Sequence, residues 1–464
     1  MLRFFRFNDP YRLLIVFVVV VILGIKNEIR ISQITLPEFN GVLVGEMMAD
    51  GKSMYSEVWH SMPPVTAYIQ YLHDLLFGRS LLARHIVALL LIFFQAAFFG
   101  VMLINNRAFN DSNYLPSFVM VVITFFSFDT VSITGEIIGS TLLLLAINNL
   151  LKEIEFKQPR DETIHNLGFF LGLATLAVFS YLVFFIGVIL ILLMFTRITM
   201  RRMGLFTIGF LLPHLIINIW YYWNNNIDLL WSNFYLSNFE HTSPALIGIK
   251  SLLVLSLIPC VYLFFSLIMM RRDSHLTKYQ SQIAQVMFLW LIFGLAEVYL
   301  NTQRSPQALL VCVPPLAYYI SHYFLLIKRK WIAETMLWFF LIGTIGVNSL
   351  SSHDQIPKID YSGLIIQKPK SFPVEGKKVL VLHDDFTPYL FNSTSSYFLD
   401  WKIYQSLFKE PNVYQHIVVV ATAFEEDAPE VIIDPHNHLA GIIQYIPEVR
   451  QKYIRKGNYY FRIP

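Results

Sequence analysis

Long apolar runs separated by short polar segments constrain this chain more than any other feature. A membrane-spanning helix needs about 20 apolar residues. Of the 464 residues, 55% are hydrophobic and only 14% are charged, which excludes an ordinary soluble domain. The sequence therefore predicts a polytopic α-helical membrane protein with about 11 transmembrane helices. The predicted spans are 11–25, 81–104, 116–130, 135–151, 167–180, 181–198, 205–223, 248–270, 283–299, 306–327 and 332–350.

Basic residues between these runs predict the orientation. The stretches 116–151 and 167–198 can each be read as one long span or two short ones. Only the division into eleven spans puts every Lys and Arg cluster on one side. By the positive-inside rule that side is the cytoplasm. We therefore expect a protein of the cytoplasmic (inner) membrane with a cytoplasmic N-terminus and a periplasmic C-terminal tail.

The predicted outer side holds the longest polar segments. A long first outer loop, residues 26–80, follows the first span. Residues 1–350 are predicted to form the transmembrane domain and residues 351–464 a small extracytoplasmic α/β domain. Short apolar runs predict the strands of this domain, and helix-like segments near 397–409 and 436–454 alternate with them. The predicted strands are Lys378–Leu382, His416–Val420 and Val431–Ile433.

Four acidic residues of the outer side are candidates for chemistry. Glu38, Glu46 and Glu57 lie in the first outer loop, and Glu136 begins the fourth span. A carboxylate beside the membrane can take a proton from an incoming hydroxyl or amine. The alternatives are a solvated acidic loop for the first three and a helix cap for Glu136.

Two arginines are candidates for binding a phosphate. Arg84 lies about one turn inside the second span, where a charge is costly unless it is paired or reaches the interface. Arg304 lies on the outer side, against the positive-inside trend, and precedes Ser305-Pro306, which can begin a helix. A guanidinium beside a helix N-terminus suits a phosphate. Snorkelling of Arg84 and anchoring of Arg304 to lipid headgroups are the alternatives.

Four outer motifs give the chain a family resemblance. The first is Tyr55-Ser-Glu-Val-Trp-His-Ser-Met-Pro-Pro64, the second Gly78–Arg84, the third Gly135-Glu136 and the fourth Arg304–Pro315. In this order and over residues 1–350, the chain resembles the GT-C superfold of membrane glycosyltransferases. It is most similar to the branch with protein O-mannosyltransferases and aminoarabinose transferase.

The resemblance implies a function and a set of roles. It implies transfer of a sugar from a polyprenyl-phosphate donor to a protein, lipid or glycan acceptor on the extracytoplasmic face of the bilayer. No cofactor is required, and a divalent cation stays an open alternative. The implied roles are general base for Glu38, with Glu46 or Glu136 as substitutes, donor-phosphate binding for Arg84 and Arg304, and an acceptor or loop site for Tyr55, Glu57 and Trp59.

Two departures from the family pattern leave the activity open. Pro37 stands where the family has its catalytic Asp, and Met62 stands where it has a Lys before Pro63-Pro64. A catalytically degenerate relative, acting as a scaffold or accessory subunit of an envelope complex, is therefore the alternative. A transporter ranks third because the predicted spans have few charges in their interiors.

Other binding classes find little support in the sequence. The net charge of +3 does not indicate a nucleic-acid partner. Cys260 and Cys312 lie inside apolar runs and are expected to be small core residues. No His or Cys spacing requires a metal.

Overall fold

The computed structural model describes residues 1–463 except 8, 31–33, 156–159, 241–244, 272–275, 302, 354, 368, 370–371 and 411–412. The described chain forms two compact units, each assembled from three separate stretches. The first unit comprises Met1–Ser32, Ser80–Ile217 and Ser243–Leu364, and the second comprises Gln33–Arg79, Asn218–Thr242 and Ile365–Pro464. The predicted domain boundary at residue 350 remains a prediction.

The first unit is helical, and every predicted span coincides with one or more of its helices. Its α-helices are Leu2–Phe5, Arg12–Arg30, Leu81–Asn105, Leu115–Thr124, Gly135–Ile154, Asp161–Ala177, Leu182–Phe195, Met200–Trp223, Ile249–Leu255, Leu257–Arg271, Lys278–Leu300, Val313–Leu326 and Lys330–Ser351. The last six residues of Met200–Trp223, 218–223, are counted with the second unit. Three short 3₁₀ helices, Phe128–Val131, Phe179–Tyr181 and Pro306–Cys312, interrupt the series.

Not all of these helices are long enough to cross a bilayer. Among the residues that the structure describes, six helices are long and apolar enough. The bent pair Ile249–Leu255 and Leu257–Arg271 makes a seventh if it forms one span. The polytopic helical class is thereby confirmed, whereas the count of eleven stays a prediction.

Glycines let two helices of the first unit pack backbone against backbone. A Cβ atom on Gly168 would overlap the carbonyl oxygen of Phe206, and one on Gly209 would overlap that of His165. Gly172, one turn beyond Gly168, is equally close to the Phe210 carbonyl. Small residues at such a crossing are the usual means by which membrane helices approach closely.

The second unit contains helices where the sequence analysis expected a loop. Within the predicted loop 26–80, Leu36–Ala49 and Pro64–Phe77 are both 14-residue helices. Pro37 and Pro64 lie in their first turns, where the missing N–H of proline costs nothing. A segment between two membrane spans can contain helices, so the predicted outer loop 26–80 stays a prediction. The two helices pack closely, since a Cβ atom on Gly45 would lie 2.7 Å from the Gln70 carbonyl oxygen.

A short helical segment follows Met200–Trp223 and belongs to the second unit. It consists of the helix Ile227–Leu230, the π-helical turn Trp231–Leu236 and the helix Ser237–Glu240. A π-helical turn is rare and is frequently found at functional sites.

The C-terminal part of the second unit is a five-stranded sheet covered by helices. The strands are β1 (Lys378–Val381), β2 (Ser393–Thr394), β3 (Val431–Ile433), β4 (Tyr453–Lys456) and β5 (Tyr459–Arg462), and their order is β2-β1-β3-β5-β4. β1 pairs in parallel with β2 and β3, whereas β5 is antiparallel to β3 and β4. The helices are Thr387–Leu390 (3₁₀), Trp401–Lys409, Tyr414–Glu426, Leu439–Ile443 and Pro447–Lys452.

One predicted strand of this region is wrong. His416–Val420 lies inside the helix Tyr414–Glu426, which buries Val420, Ala423 and Phe424. Those positions are three and four residues apart, the spacing of one helix face. A short apolar run does not distinguish a buried strand from a buried helix, and the prediction failed for that reason. The predicted strands at Lys378–Leu382 and Val431–Ile433 are present as β1 and β3. The β4–β5 hairpin, which pairs with β3 in the sheet, was not predicted.

We expect Gly168→Val to destabilise the protein and Gly204→Ala to leave it intact. The added side chain at residue 168 must push two helices apart, and overpacking typically costs about 1–3 kcal/mol. Gly204 lies in the same helix as Gly209, but a Cβ atom there would meet no atom within 4 Å. Thermal unfolding of both variants in detergent micelles checks this. Equal melting temperatures would contradict the proposed close packing.

Candidate functional site

Polar side chains of the first unit collect where its helices break. The segments 127–136, 179–181 and 297–307 each join two helices, and each contributes buried polar groups. Two hydrogen-bonded networks result, one around Asp129 and one around Glu297.

The first network joins Asp129 to Gln307. The backbone N–H of Gln307 donates to Asp129 Oδ2 at 3.3 Å, and its side-chain amide donates to the Asp129 carbonyl and, at 2.8 Å, to Ser132 Oγ. The Thr134 hydroxyl donates to Gln307 Oε1. These bonds fix the turn from which the helix Gly135–Ile154 begins, and so they set the position of Glu136.

The second network surrounds Glu297, whose side chain is fully buried. Ser180 Oγ donates to Glu297 Oε1 at 2.6 Å, and the Asn301 amide donates to the same oxygen at 3.3 Å. Within the described part of the chain, Glu297 Oε2 has no hydrogen-bond partner. A buried acid of this kind in a membrane helix indicates a functional site.

Glu136 and Arg304 both belong to the neighbourhood of Glu297. Each lies close enough to interact electrostatically with the Glu297 side chain. Glu136 is half-buried in the first turn of its helix, where the helix dipole favours a negative charge. The guanidinium of Arg304 donates to the Tyr299 carbonyl at 3.0 Å. The structure thus brings two of the predicted site residues into one cluster.

Arg84 is fully buried on the helix Leu81–Asn105. The Ser80 hydroxyl caps this helix by accepting the backbone N–H of Ala83 at 3.3 Å, so Arg84 lies in its first turn. Full burial argues against snorkelling, because a snorkelling side chain keeps its charged end in water.

Glu38 and Glu46 lie on one helix of the second unit, Leu36–Ala49. Glu38 is buried in the first turn. Glu46 accepts from Arg79 Nε at 2.8 Å. Burial raises the pKa of Glu46, and the neighbouring Arg79 opposes this shift. Glu46 is therefore part of an ion pair, and Glu38 lies in the first turn, where a helix N-terminus stabilises a carboxylate.

Tyr55, Glu57 and Trp59 form one compact turn after this helix. The Tyr55 hydroxyl donates to the Met62 carbonyl at 2.6 Å, and the Trp59 indole donates to the Ser56 carbonyl at 3.0 Å. Glu57 Oε2 accepts the backbone N–H of Ser53 at 2.6 Å. All three side chains thus hold the turn together.

A neighbouring histidine is held neutral in the same turn. His60 Nδ1 accepts the backbone N–H of Met62 at 2.9 Å. Burial lowers the pKa of His60, although the nearby Asp400 opposes the shift. Because an unprotonated nitrogen is needed to accept this bond, the turn is built for the neutral ring.

Sequence reasoning missed several of these groups. Asp129 and Gln307 were not among the predicted site residues, although Gln307 lies within the motif Arg304–Pro315, and Glu297 stood out only as an acid near the end of an apolar run. A rule that treats every acid within a predicted span as a site would have found Glu297. Among the described residues, no group of three or more His, Cys, Asp or Glu side chains could hold a metal ion.

Comparison with known proteins supports the fold. No family model matches the sequence, and no curated protein matches it either. The structure is similar to ArnT from Cupriavidus metallidurans bound to undecaprenyl phosphate, with a TM-score of 0.54 and 11% sequence identity. The match covers 76% of this chain and 67% of that protein.

Two further solved structures are similar. Apo ArnT from the same organism matches with a TM-score of 0.53 and 11% identity, over 75% of this chain and 66% of that protein. The Archaeoglobus fulgidus oligosaccharyltransferase, tethered to an acceptor peptide, matches with a TM-score of 0.48 and 9% identity, over 98% of this chain and 74% of that protein. The likeness to ArnT shows that the chain has the GT-C fold.

Proposed function

We propose that the protein is a glycosyltransferase of the cytoplasmic membrane that takes its sugar from a polyprenyl-phosphate donor. The observation that carries the proposal is the fold shared with ArnT, which was solved with undecaprenyl phosphate bound. The long apolar helices support it, since a polyprenyl chain is soluble only in a bilayer or an apolar groove. The acceptor is a protein, lipid or glycan on the extracytoplasmic face.

Arg304 and Arg84 are the proposed ligands of the donor phosphate. When the bond between the anomeric carbon and the phosphate oxygen breaks, the electron pair leaves with the phosphate. Guanidinium groups stabilise that growing negative charge. Arg304 is the stronger candidate of the two. Its side chain is only half-buried, and it lies beside the start of the Pro306–Cys312 helix.

Glu38 is the proposed general base. The acceptor oxygen or nitrogen attacks the anomeric carbon, and its proton passes to the carboxylate. Glu46, which accepts from Arg79, is a further candidate from the same helix. Glu136 remains the second candidate because it lies in the cluster that holds Arg304. For Tyr55, Glu57 and Trp59 we propose that they shape the acceptor side of the site through the turn that they hold together.

A catalytically degenerate scaffold is the second candidate function. The observation that favours it is the place of Pro37, which serves as a helix-initiating residue where the resembled family has its acid. A wild-type protein without transfer activity and with a stable envelope-protein partner would favour this alternative.

We expect Arg304→Ala to reduce transfer by about a hundredfold, because one charge contact to the leaving phosphate is lost. Purified protein in nanodiscs, supplied with radiolabelled undecaprenyl-phosphate sugars and a membrane extract as acceptor, gives the measurement. Arg455→Ala removes an exposed arginine of the C-terminal hairpin and is the matched control. Full activity of Arg304→Ala would remove the phosphate role.

We expect Glu38→Gln to lower the transfer rate by about a hundredfold or more, since the amide cannot accept a proton. Glu38→Asp should retain part of the activity. Glu162→Gln, at an exposed acid in the first turn of Asp161–Ala177, serves as control. Undiminished transfer in Glu38→Gln would move the base to Glu136, where the same substitution tests it.

A further inference from the structure

The helix that carries Glu38 and Glu46 is held at both ends by the C-terminal stretch of the second unit. Before its first turn, Thr35 forms an antiparallel bridge with Ile365, and the backbone N–H of Ile366 donates to the Ile34 carbonyl at 3.0 Å. Beyond its last turn, Lys52 forms an ion pair with Asp427, with Nζ 2.6 Å from Oδ2. Three hundred or more residues of chain separate the partners, so neither contact follows from local structure.

The helix end determines where Lys52 lies. The backbone N–H of Gly51 donates to the Met48 carbonyl at 3.1 Å, and that of Lys52 donates to the Met47 carbonyl at 3.2 Å. These two bonds form a Schellman motif, which requires a left-handed residue. Gly51 supplies it with a φ of 94°. Lys52 is therefore fixed to the helix, and a contact made by Lys52 holds the helix itself.

Asp427 is built to receive this lysine. Besides Lys52 it accepts the backbone N–H of Ser396 at 3.1 Å and the Ser395 hydroxyl at 3.3 Å. Lys378 in β1 lies 3.3 Å from its other oxygen. Burial acts to raise the pKa of Asp427, but Lys52, Lys378 and the Ser396 N–H together outweigh burial and lower it, so Asp427 stays charged. The Lys52 and Asp427 side chains are only 16% and 17% exposed, which limits screening by solvent.

A second contact reinforces the first. The backbone N–H of Trp59 donates to the Tyr397 carbonyl at 2.9 Å, and that of Asp400 donates to the Trp59 carbonyl at 3.1 Å. The Trp59 and Phe398 rings meet edge to face, with centroids 5.7 Å apart. The turn after the helix is thus attached to the same C-terminal stretch.

We propose that Lys52 and Asp427 are positioning residues for sugar transfer: their ion pair lets the C-terminal sheet region hold the helix Leu36–Ala49 in the orientation in which Glu38 reaches the acceptor. This rests on the proposed function. The sheet region thereby acts in catalysis without contributing a group to the reaction. Because a base displaced by even 1 Å loses much of its effect, a small tilt of the helix lowers the transfer rate.

The chain offers a matched set of variants. Lys52→Met removes the cation fixed to the helix, and Lys52→Arg keeps it. Lys378→Met removes the other cation on the same carboxylate without touching the helix. We expect kcat to fall about tenfold in Lys52→Met, with the KM for the undecaprenyl-phosphate sugar unchanged, and wild-type behaviour in Lys52→Arg and Lys378→Met. Hydrogen exchange of residues 47–62 should accelerate only in Lys52→Met.

The outcomes separate the two proposals. An active wild type whose Lys52→Met variant keeps full activity overturns the positioning role alone, as do equal losses in Lys52→Met and Lys378→Met. A rise of donor KM with unchanged kcat also overturns it, since the pair would then serve donor binding. A wild type without transfer overturns the proposed function, and the positioning role falls with it.

Discussion

The cost of placing polar and ionisable groups among apolar helices determines how the first unit is built. A charge moved from water into an apolar interior must be compensated by hydrogen bonds or by an opposite charge. Glu297 is fully buried, and Ser180 and Asn301 donate to one of its oxygens. Both donors come from segments where helices break. The breaks supply these polar groups from irregular backbone, which among membrane-spanning helices is tolerated only where protein encloses it.

The same constraint explains why Asp129 and Gln307 lie together. A polar turn between two apolar helices leaves backbone donors and acceptors without helical partners. The Gln307 amide satisfies the Asp129 carbonyl and the Ser132 hydroxyl at once. The network thus stabilises the turn, and the helix that carries Glu136 begins directly after it. The residues that stabilise the turn therefore also determine where the candidate residue Glu136 lies.

Hydropathy was sufficient to predict the helical class and the segments in which the helices lie, because long apolar runs rarely form any structure other than a membrane helix. It was insufficient in the second unit. Pro37 and Pro64 indicate a turn as well as the first turn of a helix, and only packing, such as that of Gly45 on Gln70, separates the two. Likewise, His416–Val420 has the composition of a strand, but its neighbours Ala423 and Phe424 complete a helix face. In the candidate site, Arg304 and Glu136 were visible as charges out of place. Gln307 lies within the motif Arg304–Pro315, but an uncharged amide gave no reason to single it out as a site residue.

The assembly of the second unit from distant stretches has a consequence for biosynthesis. Lys52 and Asp427 are separated by 375 positions. At about 5–20 residues per second, a ribosome needs roughly 20–75 s to make that interval. During this time the helix Leu36–Ala49 has been synthesised but its C-terminal partners have not. The contacts that attach this helix to the C-terminal stretch, the Lys52–Asp427 ion pair among them, can therefore form only after that interval has been synthesised.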